Sequence, residues 1–157
     1  MGKKPWRKNM LAEKRFMEEA LKEAELAAAK GETPVGAVVV KDGVIVSRAH
    51  NMTEAEKDGS AHAELIALKN AAAALGTRYL DDCVLYVTME PCPMCAGACM
   101  NFRIGAVVYG AYDKRAGAFG SVSDIGSGAF GQSVIAVGGV MREECAKILN
   151  DFFREMR

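Results

Sequence analysis

The 157-residue sequence has no excess of charge of either sign, since Lys+Arg and Asp+Glu number 20 each and the formal net charge is zero. That removes overall basicity as an argument for nucleic-acid binding, DNA included, and leaves only a local basic face. No apolar run approaches the roughly 20 residues that cross a bilayer. The charged start Met1-Gly-Lys-Lys-Pro-Trp-Arg-Lys8 has no apolar signal core behind it. A cytoplasmic protein with no membrane partner is expected. The five cysteines are an odd number crowded mostly between 83 and 99, which disfavours an evenly spaced secreted disulfide scaffold. Repeats, linkers and low-complexity segments are missing too. A half-hydrophobic chain of this length closes one good core, so a single domain over residues 1–157 is expected.

What is present is a clear alternation of patterns. Met17, Ala20, Leu21, Ala24 and Ala28 recur at spacings of three and four, which predicts an amphipathic helix across residues 10–30 with Gly31 as its stop. Val35 to Val40 and Val44 to Val46 are β-branched runs joined by Lys41-Asp42-Gly43, a hairpin signal. A helix is expected over 63–75, ending at Gly76, then a buried strand over 84–89, a short helix over 94–101 and a strand over 106–111. Residues 113–133 lack apolar periodicity and are expected to form a long surface loop, a kind that is usually functional or mobile. A last strand over 134–140 and a last helix over 142–157 follow, the helix with Cys145, Ile148, Leu149, Phe152 and Phe153 on its apolar side. Strands alternating with helices in this order imply an α/β fold, a mixed sheet flanked by helices on both faces.

Cys92-Pro-Met-Cys95 places two thiols on one face of a first helical turn, whose positive end stabilises thiolates. Alone, the pattern also fits a redox pair, half of a structural zinc knuckle, or two buried cysteines. His62-Ala-Glu64 also opens a helix, and in a chain with two histidines that placement shifts the weight towards zinc. Three protein ligands and an open position describe a catalytic zinc, whereas a structural site needs a fourth ligand. Cys99, Cys83, Cys145 and His50 are the possible fourth ligands, and Cys99 is expected to pack as a small apolar residue. Glu64 discriminates, because a carboxylate two positions from a ligand is useless to a structural knuckle but can shuttle protons to and from a water on the metal.

His62-Ala-Glu64 followed by Pro91-Cys92-Pro-Met-Cys95 resembles the zinc-dependent nucleobase deaminases. Further stretches narrow the resemblance to the bacterial tRNA-specific adenosine deaminase family from about residue 13 onward: Pro34-Val-Gly-Ala-Val38, His50-Asn51, Leu85 to Ala98, Val107 to Ala111 with Asp113, and Phe152-Phe153-Arg154. The resemblance implies a cytidine-deaminase-like three-layer α/β/α sandwich with a mixed five-stranded sheet. It implies one zinc per chain on His62, Cys92 and Cys95, and a homodimer with its contact across Cys92 to Arg103. The implied reaction is hydrolytic deamination of adenosine to inosine, with Glu64 taking a proton from water and returning protons to N1 and the departing ammonia. Asn51 would hydrogen-bond the target base, and main-chain N–H groups at Ala63 and around Cys92 would help hold water and base.

The implied partner is a tRNA anticodon loop, whose base must be splayed out of a single strand into the pocket. Asp113, Lys114 and Arg115 match the family's Asp-x-Lys-like segment, with Arg115 in the Lys position, and Phe153 and Arg154 could offer a stacking face and a phosphate contact. His50 and Asn51 keep the pocket side of the pattern. The chain departs from the family at Phe130-Gly131-Gln132, where Asn-His commonly follows an apolar residue. Two competing readings are a deaminase of a free base or nucleoside and a non-catalytic zinc-binding interaction module.

Overall fold

The computed structural model describes residues 13–156. Residues 10–12 of the first expected helix, and Arg157, lie outside that range. The element order is helix α1 (Lys14–Ala29), strands β1 (Gly36–Lys41) and β2 (Val44–His50), helices α2 (Thr53–Glu56) and α3 (Ala63–Leu75), strand β3 (Cys83–Met89), helix α4 (Pro93–Asn101), strands β4 (Ala106–Ala111) and β5 (Ile135–Val137), and helix α5 (Arg142–Glu155).

These elements form a five-stranded sheet in the order β2-β1-β3-β4-β5. β1 is antiparallel to both β2 and β3, while β3, β4 and β5 run parallel. α1 packs on β1 and β3 and α5 on β4 and α1, whereas α3 packs on β2 and β1 and meets α4. Helices on both faces explain why β1, β3 and β4 are nearly uninterrupted apolar runs buried along their length. The edge strands β2 and β5 are only half-buried. Buried apolar residues from both faces join in one core cluster, which includes Cys83, Cys99 and Cys145.

The hairpin forms where Asp42-Gly43 predicts it, with both residues at positive φ (51° and 74°), the conformation a two-residue turn between twisted strands requires. β2 runs four residues beyond the expected Val46, because the whole of β1 pairs with it through Gly36↔His50. The last strand is shorter than expected. It stops at Val137, and Gly139 at φ 85° takes the chain out of extended geometry. α2 has no counterpart among the expected elements, since four residues are too few to show a helical period. Phe153 lies outside the core cluster: it is 47% exposed, with its ring edge to face against Phe152.

β2 and the parallel strands point the same way, so His50-Asn51, Glu90 to Cys92 and Tyr112-Asp113 all emerge at one end of the sheet. In α/β sheets, the carboxyl ends of strands are where ligands bind.

Candidate metal centre and pocket

Two helix starts build the centre. His62 is the N-cap residue of α3 and Cys92 that of α4, with Pro93 at the first helical position and Cys95 one turn in. His62 Nδ1 lies 3.7 Å from Cys92 Sγ and 3.4 Å from Cys95 Sγ, and the three ligand atoms all fall within 4.8 Å of one another. A nitrogen about 2.0 Å and a sulfur about 2.3 Å from a tetrahedral zinc stand about 3.5 Å apart, which matches both nitrogen–sulfur separations here. Among the described residues no other His, Cys, Asp or Glu joins the cluster. Cys99 is fully buried, and burial pushes its thiol up, as suits a neutral core side chain.

Charge is shared unevenly among the three donors. The Cys95 thiol hydrogen-bonds the Cys92 thiolate, and with His62 this outweighs burial and pulls Cys92 down to about 4. Cys95 moves up in response, since it shares its proton with Cys92 and is buried. His62 is raised chiefly by its bond to Cys92, against burial. Glu64, in the first turn of α3, is 4% exposed, and burial pushes its carboxyl up to about 7 although the neighbouring His62 charge opposes the shift.

A pocket of roughly 230 Å³ opens over these groups, with Thr33, Val35, Asn51, Glu64, Glu90 and Asp113 among its lining residues. The Ala63 N–H donates to Asn51 Oδ1 at 2.8 Å. That amide is therefore committed to orienting Asn51, rather than to water or base, and the Asn51 NH2 group is what remains for a ligand. His50 points elsewhere: its Nδ1 meets Glu23 Oε1 at 3.0 Å and its Nε2 meets Lys30 Nζ at 3.1 Å, so the pocket is completed by Asn51 and not by His50.

Asp113 lines the pocket, and its carboxylate accepts the Arg115 and Ala116 N–H groups (2.9 and 3.2 Å). Lys114 and Arg115 are exposed beside it. Phe153 and Arg154 are exposed near the end of α5, where Arg154 reaches Asp151 at 3.6 Å, and neither is among the residues lining the pocket. Phe130 is 68% exposed on the long loop.

Sequence reasoning missed two buried carboxylates that gather main-chain amides. Glu32, 1% exposed, accepts the Glu54 and Ala55 N–H groups (3.0 and 2.7 Å) and the Thr53 hydroxyl (3.3 Å), and so caps α2 from a distance. Glu90, 2% exposed, does the same for the loop after β4. The signal in the sequence was an acidic residue just before a proline, Glu32 ahead of Thr33-Pro34 and Glu90 ahead of Pro91.

The family model for the cytidine and deoxycytidylate deaminase zinc-binding region matches residues 10–111. The chain is 46% identical to the tRNA-specific adenosine deaminase of Bacillus subtilis over 149 residues, 94% of this chain and 92% of that one. It is 51% identical over 142 residues to the tRNA(Ile)-lysidine synthase of Deinococcus radiodurans, covering 90% of this chain but only 24% of that much longer protein. A solved structure from work on A-to-I editing by tRNA:A34 deaminases at the wobble position superposes with a TM-score of 0.83 at 40% identity, over 87% of this chain and 100% of the other.

Proposed function

We infer the activity from one premise: the chain belongs to the cytidine and deoxycytidylate deaminase zinc-binding family and, within it, to the tRNA-specific adenosine deaminases. It is a zinc-dependent hydrolase that converts adenosine to inosine in tRNA, at the wobble position of the anticodon. The observation that carries this reading is the convergence of three ligand atoms and no fourth, among the described residues, beside a buried carboxyl on a pocket floor.

In this reading His62, Cys92 and Cys95 hold the ion. Bound there, zinc supplies the Lewis acidity that makes water nucleophilic at neutral pH. Glu64 takes a proton from the attacking water as its oxygen bonds to C6 of adenine, and delivers that proton to N1. A second proton reaches the amino group through the same carboxyl, the C6–N bond breaks, and ammonia leaves with inosine as the product. Burial raises the Glu64 carboxyl above the usual carboxylate range, which suits a group that both takes and returns protons. The Asn51 NH2, held by the Ala63 amide, donates to the base. Lys114 and Arg115 meet RNA phosphates, and Phe153 and Arg154 offer a further stacking and phosphate contact outside the pocket lining.

The proposal includes a single domain, work in the cytoplasm where tRNA is modified, and a homodimer joined through the α4 segment. A monomer by light scattering at micromolar concentration would remove the dimer. The activity is tested by stripping the protein with a chelator and incubating it with a tRNA that carries adenosine at the wobble position. Inosine is expected to be absent in the stripped sample and restored by about one equivalent of zinc. Undiminished turnover without metal contradicts the reading.

A further inference from the structure

We propose that Glu90 is a positioning residue that fixes the RNA-facing loop 113–121 against the metal centre and thereby sets affinity for tRNA rather than the rate of the chemical step; this rests on the tRNA deaminase reading above. The Asp113 N–H donates to Glu90 Oε1 and the Phe119 and Ser121 N–H groups to Oε2, all at 3.1 Å, and the Ser121 hydroxyl also donates to Oε1. Main-chain bonds add to the clamp: Glu90 N–H to Ala111 C=O (2.8 Å) and Ala118 N–H to Pro91 C=O (2.9 Å). One buried charge is thus solvated by a loop that would otherwise have to find partners for three amides.

What the clamp holds matters for function. Asp113 forms pocket wall, and Lys114 and Arg115 are the loop's exposed cations. The other end of the clamp is two residues from Cys92. Glu90 therefore registers the cationic rim to the ligand set across a few bonds, in a stretch of chain with no helix or strand of its own. The fit is close on the inner side. A Cβ at Gly117 would lie 2.4 Å from Glu90 Cδ and 2.5 Å from both Glu90 Oε1 and the Asp113 carbonyl oxygen, so any side chain there forces the carboxylate and the loop backbone apart.

The two sites provide independent variants. In Glu90→Gln the amide oxygen can keep the Phe119 and Ser121 amides, and the Ser121 hydroxyl can turn to accept from the new NH2. Only the Asp113 N–H is then opposed, so the fold should survive while the pocket wall is released. Gly117→Ala presses on the carboxylate and on the Asp113 carbonyl together, and so opens the clamp from the loop side with Glu90 chemically unaltered. Both are measured zinc-loaded beside the parent, with tRNA as substrate and with amide hydrogen exchange of the loop. The expected result in both is a KM for tRNA raised about tenfold, roughly 1.4 kcal/mol and within the cost of one orphaned buried donor. Turnover at saturation should stay within about threefold, since Glu90 lines the pocket wall with its carboxylate bonded to loop donors and takes no part in the proton transfers assigned to Glu64. Zinc content should stay at the parent's value, and exchange should quicken at Phe119 and Ser121 in Gly117→Ala. An unchanged KM in either folded, zinc-loaded variant overturns the proposal, as does a fall in kcat at constant KM or a loss of zinc. If the parent itself leaves tRNA unmodified, the deaminase reading falls and this inference with it.

Discussion

Glu64 shows how much one residue's environment decides. It occupies the first turn of α3, two positions after His62, and burial brings its carboxyl to about 7. Replacing it by Gln or Ala leaves the three ligand atoms in place but removes the proton carrier. Zinc content is therefore expected to match the parent while turnover falls by about 10²–10⁴-fold or more, because several proton transfers use the same group. Turnover within a few-fold of the parent would contradict the role. Residue types and spacing make this cluster legible in the sequence: two cysteines three apart, and a rare histidine two before a carboxylate. Directions of side chains were not readable. His50 stands next to Asn51 in the chain, yet a strand alternates its faces, so His50 turns to Glu23 and Lys30 while Asn51 enters the pocket. The Ala63 amide likewise has one hydrogen, and only geometry reveals that Asn51 receives it.

At the scale of elements, long periodic segments were legible and short or partner-dependent ones were not. The α1, α3 and α4 stripes and the β1–β2 hairpin carry their own signals. α2 has none, because its order comes from Glu32, some 20 residues away in sequence. Burial raises the Glu32 carboxyl, but the Glu54 and Ala55 amides and the Thr53 hydroxyl outweigh it and hold the group below its ordinary value of 4.5. A lowered folded value means that the charged form stabilises the fold above about pH 4.5, and that this contribution fades as acid protonates the group below that value. Glu32→Gln should therefore melt lower at pH 7, by about 1–3 kcal/mol for an orphaned buried donor. The gap to the parent should narrow as the pH drops below 4.5. A gap that widens in acid would show that Glu32 is not held as a carboxylate. The loop after β4 illustrates the same limit. Its lack of periodicity marked it as irregular, but its anchoring on Glu90 depends on a contact some 30 residues distant.

For the whole molecule, a net charge of zero means that any attraction to RNA must be local. Lys114 and Arg115 are exposed and follow directly on Asp113, which lines the pocket. Each phosphate contact with single-stranded RNA contributes a slope of about −0.7 in log affinity against log salt. Lys114→Ala with Arg115→Ala should flatten the slope by about 0.7 per lost contact and leave zinc content alone. Equal binding by parent and double variant at every salt concentration would move the RNA face elsewhere on the surface, with the exposed Phe130 segment as the next place to test.

The claim that joins all three scales is that this zinc pocket deaminates adenosine within tRNA and not a free base. It is tested most directly by offering the purified, zinc-loaded protein a tRNA with adenosine at the wobble position beside free adenosine, cytidine and guanine, and mapping products by nuclease digestion and mass spectrometry. The account predicts inosine at that one position of the RNA, with the three small molecules unchanged and with no inosine from the Glu64→Ala protein. Deamination of a free base or nucleoside, with the tRNA left intact, would contradict it.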